Sequence, residues 1–101
     1  MKRVVVEPEA EAELVDAATW YERQRAGLGA RLVAAVDEAL QKIAERPDAF
    51  ARWRDDRHYR LCVLRPFPYV IFFVEESVTV RVVAIAHGRR RPGYWLARGR
   101  P

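Results

Sequence analysis

The last third of the chain constrains its fold most, because residues 68–95 contain two apolar segments, a tight turn and three consecutive arginines. Residues 69–74 are all apolar or aromatic, as expected of a strand that is covered on both faces. Residues 78–87 alternate, so that one face holds Val80, Val82, Ala84 and Ala86 and the other Thr79, Arg81, Val83, Ile85 and His87. We therefore predict a β-hairpin at the centre of a sheet, with His87 and the arginines at one edge of the domain.

The first half of the chain predicts a short strand followed by two helices. Three consecutive valines lie within residues 2–7, and Pro8 ends this strand while it opens a helix over residues 8–24. A glycine-containing break at residues 26–29 separates it from a second amphipathic helix, which ends at about Arg46. Two helices joined by so short a connection predict an antiparallel helix hairpin.

A further strand is predicted over residues 57–64, before a proline-rich turn. If Arg65 pairs with Tyr69 around a three-residue loop, Leu61 and Val63 face the helices.

A two-residue turn at Glu76 and Ser77 then sets Phe73 opposite Val80. The face of the sheet away from the helices would collect His58, Arg60, Arg81 and His87. The predicted order is β-α-α-β-β-β, an α+β fold in which a short N-terminal strand and a helix hairpin precede a three-stranded antiparallel sheet, with the helices on one face.

The length of 101 residues predicts a single domain over residues 1–95, followed by a frayed basic tail over residues 96–101. One cysteine, Cys62, excludes an internal disulfide and fits a reducing cytoplasm. We see neither a signal peptide nor an apolar run long enough to span a membrane, so we expect a soluble cytoplasmic protein with no membrane partner.

Charge is distributed unevenly along the chain. Residues 1–50 carry seven Lys and Arg against ten Asp and Glu, a balance of −3. Residues 51–101 carry eleven Arg, no Lys and four acids, a balance of +7. This asymmetry predicts a basic patch that suits nucleic acid or an acidic protein segment, and arginine favours bidentate contacts with phosphate or carboxylate groups.

The element order resembles that of the RelE/ParE superfamily of bacterial toxins, the toxin halves of type II toxin–antitoxin pairs. The motifs that carry the resemblance are Arg60, Pro68-Tyr69 and the segment Val-Val-Ala-Ile-Ala-His-Gly-Arg-Arg over residues 82–90. The resemblance covers about residues 3–95. It implies a toxin that inhibits growth and a cognate antitoxin that neutralises it, for which an acidic, amphipathic C-terminal segment would suit the basic half of this chain.

The superfamily implies two targets. RelE-type members cleave mRNA on the ribosome without a metal, whereas ParE-type members act on DNA gyrase. This chain has Val70 where the nuclease branch often has an arginine after Gly-Tyr, and Cys62 in place of one residue of a basic pair. An apolar strand that runs into His and Arg looks more like the ParE branch, which we favour. A nuclease, or a degenerate member that only binds a partner, remains an alternative.

We predict that the target is contacted by Arg60, Arg81, His87, Arg89, Arg90, Arg91 and Tyr94. In a nuclease, His87 would act as general acid or base with Arg60, Arg89 and Tyr94. The structural alternatives are a histidine that orients the arginine run, a solvated basic run, and an aromatic residue that closes the core. No cofactor is expected, and no metal, because Cys62 has no Cys or His at ligand spacing.

Overall fold

The structure, a computed structural model, describes residues 1–98. Its strands and helices are β1 (Arg3–Val6), α1 (Pro8–Gln24), α2 (Leu28–Glu45), β2 (Arg60–Leu64), β3 (Tyr69–Glu75) and β4 (Thr79–His87). Short 3₁₀ helices lie at Pro47–Ala49 and Tyr94–Arg98. This order confirms the α+β fold predicted from the sequence.

The N-terminal strand joins the other three, so the sheet has four strands in the order β1-β4-β3-β2. β1 runs parallel to β4, with Arg3 opposite Thr79 and Val6 opposite Val82, and the other neighbours are antiparallel. A parallel pair needs a long crossover, which the α1–α2 hairpin provides before the chain returns to the sheet.

The two helices pack closely at Gly29, near the start of α2. A Cβ atom on this residue would lie 2.4 Å from the Ala18 carbonyl oxygen of α1. The Glu22 carboxylate accepts hydrogen bonds from the Gly27 and Gly29 amides at 2.9 and 3.0 Å, so α1 caps the N-terminus of α2. Within residues 1–98, no helix is both long and apolar enough to cross a membrane.

Apolar side chains cover both faces of the sheet, as the run at residues 69–74 predicts. On the helix side, Ile71, Phe73 and Val82 belong to the main core. On the other side, Phe72 packs with Trp53 and Trp95 in a second, largely aromatic cluster. The prediction that this second face is mainly a charged surface is therefore wrong.

The predicted register of β2 is wrong by one residue, and each of its side chains lies on the face opposite to the predicted one. Leu64, not Arg65, pairs with Tyr69. Cys62 and Leu64 therefore pack on the helix side, while Leu61 joins the aromatic cluster. The observed register buries Leu64 and leaves the charged Arg65 exposed in the turn.

A β-bulge changes the facing of β4 halfway along the strand. At the start of the strand Glu75 pairs with Val80, two residues beyond the predicted partner, so Phe73 lies opposite Val82 rather than Val80. The next pair is Phe72 with Ala84, which leaves Val83 without a partner in β3 and reverses the alternation beyond it. His87 consequently lies opposite Tyr69 on the helix side, which contradicts the predicted position.

The C-terminal residues depart from the predicted frayed tail. Residues 96–98 belong to the C-terminal 3₁₀ helix, and Arg98 donates a hydrogen bond to the Val83 carbonyl at 2.6 Å. The rest of the predicted tail lies outside the described residues.

Candidate functional site

The candidate site begins where β1 ends and leaves the second half of β4 with an open edge. β1 stops at Val6, opposite Val82. Beyond that point the Ile85 amide donates to Oε1 of Glu13 at 3.0 Å, and the Val83 carbonyl accepts from Arg98. Side chains from α1 and the C-terminal 3₁₀ helix thus satisfy the backbone groups that a neighbouring strand would otherwise pair.

Glu13 also binds three side chains through its other carboxylate oxygen. Oε2 accepts hydrogen bonds from Arg98 Nη2 at 3.0 Å, Arg90 Nη1 at 3.5 Å and the Tyr94 hydroxyl. The Arg90 guanidinium carbon lies 3.7 Å from the centre of the Tyr94 ring, in a cation–π contact. We call residues 88–91 the basic loop, which this cluster joins to α1.

Tyr94 is held as a neutral phenol. Burial and the hydrogen bond to Glu13 raise its pKa to about 12. Its hydroxyl donates a hydrogen bond to Glu13, and its ring is covered by Arg90. A phenol with so high a pKa is a weak acid near neutrality, so this position suits a structural role better than proton transfer.

His87 shapes the basic loop through its ring and its backbone. Its Nδ1 accepts a hydrogen bond from the Arg89 amide at 3.0 Å, and its carbonyl accepts one from the Arg90 amide at 2.9 Å. The ring packs edge-to-face on Tyr69 with centroids 5.2 Å apart. These contacts match the structural alternative for His87, a histidine that orients the arginine run.

A cleft of about 650 Å³ opens between α1 and the end of the sheet beside this histidine. Its lining combines aromatic, acidic and basic side chains, among them Glu13, Asp16, Trp20, Tyr21, Tyr69, His87 and Arg90. Trp20 is 55% exposed, unusual for so large an apolar side chain. The cleft therefore places an apolar surface next to the basic loop.

The three consecutive arginines are not equivalent. Arg90 is held by Glu13 and Tyr94. Within residues 1–98, the guanidinium groups of Arg89 and Arg91 have no hydrogen-bond or ion-pair partner, and both residues are exposed. Among the described residues, Arg90 is thus bound to the fold while its two neighbours are not.

The Arg60 side chain is bound within the protein, and it lies on the face of the sheet opposite to the predicted one. It lies on the helix side, 11% exposed, where it donates to the Phe50 carbonyl at 2.7 Å and pairs with Glu75. Arg60 lies opposite Phe73, and His87 lies opposite Tyr69. These two partners are four residues apart on β3, which is roughly 13 Å along the strand.

Arg81 lies on the predicted face, away from the helices, but it is bound on both sides. It pairs with Glu7 at 3.2 Å and with Glu76 at 3.1 Å. The side chain is 18% exposed, so little of it is left for a target.

The four residues proposed for a nuclease are therefore only partly brought together. His87, Arg89 and Tyr94 lie near one another around the basic loop, whereas Arg60 lies at the other end of β3. In the part of the chain that the structure describes, no three His, Cys, Asp or Glu side chains are arranged to hold a metal ion.

Glu13 and Arg98 are missing from the residues predicted from sequence. The acids at the start of α1 predict only a favourable interaction with the helix dipole. A sharper signal is that position 13 lies three residues after Ala10 and four before Ala17, both buried. An acid in a buried stripe needs partners, and that spacing marks Glu13 as a candidate.

Comparisons with known proteins agree on one family. The family model described as "ParE toxin of type II toxin-antitoxin system, parDE" matches residues 4–92. Toxin ParE2 from two strains of Mycobacterium tuberculosis is 33% identical over 57 residues, which are 56% of this chain and 52% of the relative. The match thus spans about half the length of these curated relatives.

A solved structure shares the fold. It is titled "Chromosomal ParDE TA system from P. aeruginosa" and superposes with a TM-score of 0.77. The match covers 86% of this chain and 96% of that one at 15% identity, so it supports the fold alone.

Proposed function

The chain belongs to the ParE toxin family of type II toxin–antitoxin systems, and from this premise we propose that it inhibits growth by binding DNA gyrase. The observation that carries the proposal is the basic loop, which presents Arg89 and Arg91 without internal partners among residues 1–98. Guanidinium groups without partners gain little from the fold and suit carboxylate or phosphate groups on a target. A gyrase target also implies a cytoplasmic location.

The arrangement favours binding over catalysis. The Tyr94 hydroxyl is hydrogen-bonded to Glu13, which keeps it neutral, and His87 Nδ1 accepts a hydrogen bond from the Arg89 amide. Arg60 is bound to the Phe50 carbonyl and to Glu75. A metal-independent nuclease needs an acid, a base and cations around one phosphate, and these side chains are mostly engaged elsewhere.

A cognate antitoxin is the second proposed partner. The C-terminal half of the chain has a balance of +7, which suits an acidic segment. The cleft beside Trp20 adds an apolar surface next to the basic loop. An amphipathic antitoxin segment that folds on binding would use both surfaces, the apolar one for affinity and the basic one for orientation.

The proposal is tested by inducing this chain alone in a bacterial host. We expect growth to stop, plasmid supercoiling to change early, and protein synthesis to fall only later. Co-expression of the cognate antitoxin should restore growth. The control is the variant Arg89→Ala with Arg91→Ala, expressed to the same soluble level.

Two other outcomes would replace the proposal. An early stop in translation with cut mRNA would identify a ribosome-dependent endonuclease. Normal growth at confirmed soluble expression would indicate a degenerate member that only binds a partner.

A further inference from the structure

The Glu13 carboxylate joins segments that are far apart in sequence. One oxygen accepts the Ile85 amide, and the other accepts from Arg90, Tyr94 and Arg98. The Glu13 side chain is only 14% exposed, so these donors supply the solvation that water would otherwise give a charged carboxylate. The basic loop and the C-terminal 3₁₀ helix are therefore both fastened to α1 at Glu13.

Because of these contacts the three arginines differ: Arg90 is held by the fold, whereas its two neighbours have no partner within residues 1–98. The Arg90 guanidinium contacts both the Glu13 carboxylate and the Tyr94 ring. Its amide also closes the turn onto the His87 carbonyl. Arg89 and Arg91, on either side of it, are exposed and unpaired within residues 1–98. A loop that is already ordered loses less conformational entropy when it binds a target.

We propose that Glu13 is a positioning residue for target binding, which holds Arg90 and Tyr94 so that Arg89 and Arg91 present their guanidinium groups together. Arg90 then supports the loop and is not a target contact, unlike its two neighbours. The inference rests on the proposed function for the identity of the target, but the fastening of the loop is independent of it.

Amide hydrogen exchange, detected by NMR in the variant Glu13→Gln, tests whether Glu13 holds the basic loop and the C-terminal 3₁₀ helix on α1. The amide side chain of glutamine keeps an oxygen for the Ile85 amide but loses the charge that holds Arg90, Tyr94 and Arg98. The Arg90 amide donates to the His87 carbonyl, and the Leu96 amide, in the C-terminal 3₁₀ helix, donates to the Gly93 carbonyl. We expect both amides to exchange about tenfold faster, while the Ile85 amide changes little. Glu11→Gln is the matched control, because Glu11 is exposed on the same helix and has no side-chain partner in the described part of the chain.

A matched pair of variants distinguishes an arginine that supports the basic loop from one that contacts the target. Arg90→Ala and Arg89→Ala each remove one positive charge. We expect Arg90→Ala to speed exchange at Leu96 as Glu13→Gln does, and Arg89→Ala to leave it unchanged. Wild-type exchange rates at Arg90 and Leu96 in Glu13→Gln would overturn the inference.

Binding to purified DNA gyrase tests the consequence for the target. Glu13→Gln should weaken the affinity about tenfold in the wild-type background. It should cause almost no further loss when Arg89 and Arg91 are already alanine, because Glu13 acts through them. An equal loss in both backgrounds would show a role unrelated to the arginines and would contradict the inference.

The two proposals fail in different ways. If the wild-type protein does not bind gyrase but Glu13→Gln still loosens Arg90 and Leu96, the proposed target is wrong and the fastening stands. If gyrase binding is tight and unaffected by Glu13→Gln, the target stands and the positioning role is wrong.

Discussion

The sequence predicts Tyr94 as a target contact and, in a nuclease, as a member of the catalytic group, and its surroundings favour neither role. Its ring lies under Arg90, and its hydroxyl donates to Glu13. The raised pKa, about 12, follows from burial first and from this hydrogen bond second. At the scale of single residues, the site is thus built from side chains that bind each other and, within residues 1–98, leave Arg89 and Arg91 without a partner.

The pKa of Tyr94 predicts how stability depends on pH. A group whose pKa is raised in the folded state contributes its full stabilisation below its ordinary pKa of 10.0 and loses it as pH rises toward about 12. We expect the free energy of unfolding of the wild type to fall between pH 10 and 12, and that of Tyr94→Phe to fall less. Urea unfolding at pH 8, 10 and 11 measures both, and pH 8 gives the baseline for the lost hydrogen bond. Parallel curves for the two proteins would contradict the assignment.

Glu13 shows where prediction of the site from sequence ends. The basic run and His87 are visible in the sequence because they lie next to each other. The role of Glu13 depends on donors 72 to 85 residues away in the chain. Helical spacing identifies it as an acid in a buried stripe, but only the fold shows which groups neutralise it.

At the scale of elements, the order and approximate bounds of the helices and strands follow from the sequence, but the facing of two strands does not. β2 contains Leu61, Cys62, Val63 and Leu64, apolar on both faces. Such a pattern fits either of two neighbouring registers, so the length of the turn between β2 and β3 determines which one forms. In β4 the segment Val-Val-Ala-Ile-Ala over residues 82–86 likewise tolerates a bulge without exposing a polar face.

The helix hairpin gives a prediction at the same scale. Gly29→Ala would place its Cβ 2.4 Å from the Ala18 carbonyl oxygen, a backbone atom that cannot move without the helix. We expect the free energy of unfolding to fall by about 1–3 kcal/mol because the helices must separate. Gly88→Ala is the control, since its Cβ would meet the nearest atom at an ordinary 3.5 Å. Urea unfolding followed by circular dichroism measures both, and equal stability of the two variants would show that the crossing is looser than described.

At the scale of the whole molecule, the positive charge of the C-terminal half overstates the free basic surface. Within residues 51–98, four arginines are bound to acids: Arg60, Arg81, Arg90 and Arg98. The sequence predicts the charge balance, whereas the pairing depends on tertiary contacts between distant segments. The accessible charge is therefore concentrated in fewer places than the count suggests, with Arg89 and Arg91 at the site.

This distribution predicts a moderate salt dependence for the complex with the cognate antitoxin. Raising the salt concentration should increase the dissociation constant, because exposed arginines are screened. The increase should be smaller than for a purely electrostatic complex, because contacts in the apolar cleft persist. Titration calorimetry at several salt concentrations measures it, with Arg89→Ala and Arg91→Ala together expected to flatten the dependence. A wild-type dissociation constant that does not change with salt would place the arginines outside that interface.

Supercoiling by purified DNA gyrase, with this chain added in increasing amounts, tests the central claim most directly. Three proteins are compared: the wild type, His87→Gln, and the double variant Arg89→Ala with Arg91→Ala. His87→Gln keeps a hydrogen-bond acceptor for the Arg89 amide but removes the imidazole that a nuclease would need as general acid or base. We predict inhibition by the wild type, nearly equal inhibition by His87→Gln, and at least tenfold weaker inhibition by the double variant at unchanged folding. Normal supercoiling with the wild type, together with ribosome-dependent mRNA cleavage that His87→Gln reduces by about 10²–10⁴-fold, would contradict the account.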